Sequence, residues 1–132
     1  MGVQDNLELV RRGYAAFSAG DGATLLELFA PDVVHSVPGS SSQIAGAHKG
    51  ADDVLGLYAK LGELSNGTVK VELEHVLSDG ADRVISIHSA TAERNGETLT
   101  SREALLFTIA DGRVVEIQDF FDDLERVDAF WS

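Results

Sequence analysis

Cysteine is absent from this 132-residue chain, and proline occurs only twice. Without cysteine there is no disulfide and no thiolate chemistry, a composition that suits a reducing cytoplasm. Basic residues are scarce as well: 10 Lys and Arg stand against 22 Asp and Glu, a formal net charge of -12. So acidic a chain is repelled by a phosphate backbone, which excludes nucleic acid as the expected partner. No apolar run approaches the roughly 18 residues of a membrane span, and the opening MGVQDNLELVRR lacks the apolar core of a signal peptide. No repeat, linker or low-complexity segment interrupts the chain. With 44% hydrophobic and 24% charged residues it has the composition of a globular protein, and we read residues 1–132 as a single domain.

Hydrophobic spacing gives the element order. Leu7, Val10, Tyr14 and Phe17 recur at helical intervals, which predicts an amphipathic helix over 5–18 stopped by Ala19-Gly20. Asp21 is an N-cap for a short second helix carrying Leu25, Leu28 and Phe29, with Pro31 as its end. Residues 32–37 alternate as a strand, with Val33, His35 and Val37 on one face. The small residues of 38–50, PGSSSQIAGAHKG, predict a loop bordering a cavity mouth. A third helix follows over 51–64, with Val54, Leu55, Tyr58 and Leu61 inward. Turn signals then recur at Asp79-Gly80, Asn95-Gly96 and Asp111-Gly112. The β-rich runs between them are about twice the usual strand length, long enough to twist and curl. Helices first and a long meander second predict an α+β fold: a curved antiparallel sheet, N-terminal helices packed on its concave face, and a cone-shaped cavity between. Asp122-x-x-Glu125 has the form of a capping box for a last short helix that ends at Phe130 and Trp131.

One residue stands out in that pattern. Val115, Ile117, Asp119 and Phe121 share a strand face, and Asp119 is a carboxylate in an apolar row, which is costly unless it is paired or used. The turns fix its neighbours. A two-residue loop at Asn95-Gly96 pairs Arg94 with Glu97, and so His88 with Glu103 and Ser86 with Leu105. At Ala110-Asp111-Gly112 a two-residue loop would set Ala104 opposite Asp119, and a three-residue loop would set Glu103 there. Leu105, Phe107 and Ile109 make the odd face of one strand apolar, as Val115, Ile117 and Phe121 do for its neighbour, so facing residues favour the three-residue loop. The expected site is then one row of His88, Glu103 and Asp119 across three strands, with His35 facing the same space.

With those residues in place, the chain resembles the SnoaL-like branch of the nuclear-transport-factor-2-like superfamily, whose fold is also described as cystatin-like. The resemblance is carried by AAFSAGD (15–21), LFAPDVVHSVPG (28–39), AGAHKG (45–50) and ADGRVVEIQDFFD (110–122). Family members include ketosteroid isomerase, limonene-epoxide hydrolase, scytalone dehydratase and polyketide cyclases. The positions of the isomerase's base, oxyanion-hole tyrosine and protonated aspartate fall on Val37, Gly13 and Leu105, so ketosteroid isomerisation is not implied. Limonene-epoxide hydrolase matches better: its water-activating aspartate falls on Asp119 of Asp119-Phe120-Phe121-Asp122 and its first-strand tyrosine on His35. Its asparagine, arginine and second aspartate fall on Val37, Ser86 and His88.

Together these readings predict a cofactor-independent, metal-free acid–base enzyme for a small apolar molecule. Asp119 is the expected base, with His88, Glu103 and His35 as its acid and tuning partners. Tyr14, Phe17, Val33, Val37, Tyr58, Ser86, Leu105, Phe107, Ile117 and Phe121 are the expected cavity wall. Isomerisation, cyclisation, dehydration and epoxide opening all fit. The alternative is a protein of the same fold that binds a ligand without turnover. Ile85, Ile87, Leu106 and Phe120 make the outer sheet face apolar, which predicts a homodimer through that face.

Overall fold

A computed structural model describes residues 2–132. Helix α1 (Val3–Ala19) ends on Gly20, whose left-handed backbone (φ 67°) lets the chain reverse. Helix α2 (Gly22–Leu28) is capped by Asp21, which accepts from the Thr24 amide. Strand β1 (Phe29–Val37) follows without a loop. Pro31 therefore does not end the helix; it lies inside β1. The strand accommodates it because its pairing with β6 shifts between Phe29 and Val34, leaving no ladder amide to supply at Pro31. A short edge strand, β2 (Gly46–Lys49), pairs antiparallel with β1 inside the segment expected to be all loop. Helix α3 (Ala51–Leu64) then buries Val54 and Leu57.

The second half is the long meander: β3 (Lys70–Ser78), β4 (Arg83–Arg94), β5 (Glu97–Ala110) and β6 (Arg113–Phe121). The six strands run in the order β2-β1-β6-β5-β4-β3. Every neighbouring pair is antiparallel except β1 with β6, which is parallel and joins the two halves of the chain. Helices α1 and α3 cover one face. Beneath them Val33, Val84, Val114 and Ile117 are almost fully buried, each worth about 1.5–3 kcal/mol of burial. A second cluster of Val37, Leu57, Leu99, Val127, Phe130 and Trp131 closes the far end around helix α4 (Leu124–Phe130). The cap of α4 is Asp123 rather than Asp122: Asp123 accepts from the Arg126 amide, while Asp122 accepts from the Arg102 amide.

Both hairpin turns beside β5 are two-residue loops with left-handed backbones, Asn95-Gly96 and Asp111-Gly112. The β4–β5 register matches the sequence reading, with Arg94 opposite Glu97 and His88 opposite Glu103. The β5–β6 register does not. Ala110 faces Arg113, Ile109 faces Val114, and then Val115 is bulged, so that Phe107 faces Ile117 and Leu105 faces Asp119. Parity between the two apolar faces is kept, as the hydrophobic pattern required, but an inserted residue keeps it rather than a longer turn. The expected row is thereby corrected: Glu103 lies opposite Phe121, and Asp119 sits one pleat further along.

Candidate active site

The concave face and the helices enclose a hollow of about 120 Å³. Its wall is apolar apart from Tyr14, His35, Tyr58, His88, Glu103 and Asp119. Helix α1 supplies Tyr14 and Phe17, α3 supplies Tyr58, and β1, β4, β5 and β6 supply the histidines, the carboxylates, Leu105, Phe107 and Ile117. Four expected wall residues lie elsewhere. Val37 and Phe121 pack in the far cluster around α4, and Ser86 is sealed beneath the Tyr14 hydroxyl. Val33 is wholly buried in the core and does not reach the hollow. The 38–50 segment contributes nothing to the wall either. Asp128 of α4 accepts the amides of Ser40, Ser41 and Ser42 and folds that loop against the far end.

The polar residues form two separate chains of the same design. In one, Asp119 Oδ1 accepts from His35 Nε2 at 2.7 Å, and His35 Nδ1 meets the Tyr58 hydroxyl at 2.9 Å. In the other, Glu103 Oε1 accepts from His88 Nε2 at 3.0 Å, and His88 Nδ1 meets the Tyr14 hydroxyl at 2.6 Å. Tyr14 also contacts Ser86 Oγ at 2.6 Å, and Ser101 Oγ donates to Glu103 Oε2 at 2.7 Å. Each unit is thus a tyrosine, a histidine and a carboxylate in series. The expectation that Glu103 and Asp119 are neighbours in one row is corrected: each has its own histidine.

The carboxylates differ in what they have left. Both oxygens of Glu103 are taken by His88 and Ser101. Asp119 is bonded through Oδ1 alone, and Oδ2 has no protein partner and is not sealed off. Its side chain is 13% exposed and lies in the wall of the hollow. Burial pushes the ionisation of both tyrosines up, and the charge of Asp119 adds to the effect on each; Ser86, donating to Tyr14, opposes it there. Both phenols therefore keep their protons at neutral pH. The role of the tyrosine hydroxyls was not legible in the sequence, because each is joined to its histidine only by packing of a helix on the sheet. Ser101 could have been found: it shares a strand face with Glu103, two residues away. Among the described residues no cluster of three His, Asp or Glu could hold a metal ion, and no helix is long and apolar enough to cross a membrane.

Residues 10–117 match the family model of the SnoaL-like domain, and the chain belongs to that family. An uncharacterized protein of Mycobacterium tuberculosis is 40% identical over 127 residues, 96% of each chain. Among solved structures, Bal32a from a soil-derived mobile gene cassette is 44% identical, covers 98% of both chains and superposes with a TM-score of 0.92. TerC, co-crystallized with polyporic acid, shares the fold at 22% identity and a TM-score of 0.82, over 97% of this chain and 99% of its own. The architecture is the cystatin-like or NTF2-like one expected from the sequence.

Proposed function

We propose that this protein is a cofactor-independent acid–base enzyme for a small, largely apolar molecule, with Asp119 as the group that takes the proton. The observation that carries the reading is the asymmetry of the Asp119 carboxylate: one oxygen fixed by His35, the other unpartnered at an apolar hollow. A base held in one orientation and shielded from bulk water is the arrangement general-base catalysis needs. His35, backed by Tyr58, fixes the carboxylate and spreads the charge that the proton transfer changes. The proton moves from the substrate, or from a water placed between, to Oδ2, and can return from there to a second position or to a leaving oxygen. Glu103, with both oxygens engaged, is a positioning residue that holds His88 and, through it, Tyr14. The SnoaL-like family supports a small-molecule or cyclase role, and so does a fold that in TerC was co-crystallized with polyporic acid.

A panel of small enolisable ketones, dihydroxybenzenes and epoxides, incubated in D₂O and followed by NMR, tests the reading. The native protein is expected to accelerate carbon–hydrogen exchange or ring opening of at least one member. Asp119→Asn is expected to lower that rate by about 10²-fold or more. Equal rates with the variant would remove Asp119 as the base. Binding of a panel member with no exchange or opening would make the protein a carrier instead.

The outer sheet face supports a second copy of the chain as the protein's partner. Leu77, Ile85 and Leu106 form one cross-strand row there, and Ile87, Ala104 and Phe120 form the next. Leu77, Ile85 and Phe120 are each more than two-fifths exposed. Arg83 and Glu116 border the patch on one side, Glu74 and Arg102 on the other. Both signs flank it, so two copies can meet there despite the net charge of -12.

A further inference from the structure

The direction of the hydrogen bonds around the hollow restricts its ligand more than its size does. Among the described residues six polar side chains reach the wall, and each has identifiable donors and acceptors. A carboxylate only accepts, so the hydrogen in each histidine–carboxylate contact belongs to Nε2 of His35 and of His88. A neutral imidazole then has a bare Nδ1, and the one hydrogen within reach is that of the tyrosine hydroxyl: Tyr58 for His35, Tyr14 for His88. Tyr14, having given its hydrogen away, accepts from Ser86. Ser101 spends its own on Glu103. Burial of both phenols keeps those hydrogens on the tyrosines.

Every polar hydrogen in the wall is therefore used inside the protein. What remains uncommitted is lone pairs on two residues of the wall, those of Asp119 Oδ2 and of the Tyr58 oxygen. A ligand carbonyl or carboxylate would meet only other acceptors, and its desolvation would go uncompensated. A ligand hydroxyl or amine finds partners at once. As for size, an apolar cavity of about 150 Å³ admits benzene, so a hollow of about 120 Å³ suits a single small ring.

We infer that the occupant of this hollow is a ring-sized apolar molecule recognised through hydrogen-bond donors, a hydroxyl or amine directed at Asp119 Oδ2 and the Tyr58 oxygen, and not through a carbonyl or carboxylate. This deepens the proposed function and rests on its assignment of the hollow as the binding site, but not on turnover. Asp119→Asn supplies an internal reversal. Because His35 Nε2–H holds the oxygen now called Oδ1, the variant's amide oxygen stays there and its NH₂ group takes the place of Oδ2. The hollow then gains a donor.

The test is titration calorimetry of the whole chain near neutral pH with phenol, anisole, benzaldehyde and benzoate. Phenol is expected to bind about tenfold or more tightly than anisole, which keeps the ring and loses the donor. Benzaldehyde should do no better than anisole, and benzoate worse. In Asp119→Asn the advantage of phenol over benzaldehyde should shrink or reverse. Benzaldehyde or benzoate binding the native protein as well as phenol does would overturn the inference. So would failure of phenol to bind at millimolar concentration, or an unchanged preference in the variant. A preference for phenol without any proton exchange in the panel above leaves this inference standing while the catalytic reading fails; exchange of a ketone that binds better than phenol does the opposite.

Discussion

At the scale of single residues, the site depends on two phenols that burial keeps protonated well above neutral pH. The chain has only two tyrosines, Tyr14 and Tyr58, and burial raises the ionisation of both. An alkaline spectrophotometric titration should therefore show no tyrosinate near the ordinary value of about 10. It should appear only above that value, together with loss of structure. The sign follows from linkage: a group whose folded value is raised stabilises fully below its unfolded value and loses that contribution as pH climbs through the folded one. A normal titration of either tyrosine with the fold intact would contradict the two hydrogen-bonded chains. Tyr58→Phe removes the hydrogen that His35 Nδ1 accepts and leaves a buried nitrogen unpaired. Denaturant unfolding should show a loss of about 1–3 kcal/mol.

At the scale of elements, the two-residue turns and one bulge decide which way Asp119 points. Gly96 sits at φ 78° with open space around the position of a Cβ, so Gly96→Ala tests backbone conformation alone. A loss of about 1–2 kcal/mol in thermal or denaturant unfolding is expected. An alanine inserted after Glu116 advances residues 117–121 by one place in β6 and turns Ile117 and Asp119 outward. Loss of cooperative unfolding should result. The loop at 39–42 is held differently. Its amides surround the Asp128 carboxylate, and those backbone hydrogen bonds depress its ionisation. A depressed carboxylate stabilises above its unfolded value of about 3.9, and the contribution fades as pH falls through the lower folded one. Asp128→Asn should thus be less stable than the native protein at neutral pH, with the gap closing below about pH 4. Stability curves at several pH values would show it. Gly39, at φ 135°, could not carry a Cβ without striking that same carboxylate.

At the scale of the whole molecule, an acidic chain presents one apolar sheet face. Ile85→Lys combined with Phe120→Lys should convert a dimer to a monomer in sedimentation at micromolar concentration, with little effect on the hollow, which opens on the opposite face of the sheet. A native protein that is already monomeric would remove the proposed partner.

The element order apart from β2, the two-residue turn at Asn95-Gly96 and the pairing of His88 with Glu103 were all legible in the sequence. They depend on short-range rules: helical spacing, β alternation and turns with left-handed residues. The family was legible for the same reason, since its motifs lie in local segments. Three things belonged to the tertiary structure alone. The Val115 bulge preserves the hydrophobic alternation of its strand pair, so no pattern announces it, yet it moves Asp119 away from Glu103. The parallel docking of β1 on β6 brings His35 to Asp119 from 84 residues away, and no local signal spans that distance. Finally, the packing of α1 and α3 on the sheet gives each histidine its tyrosine, and so decides that the hollow is left with acceptors and no free donor.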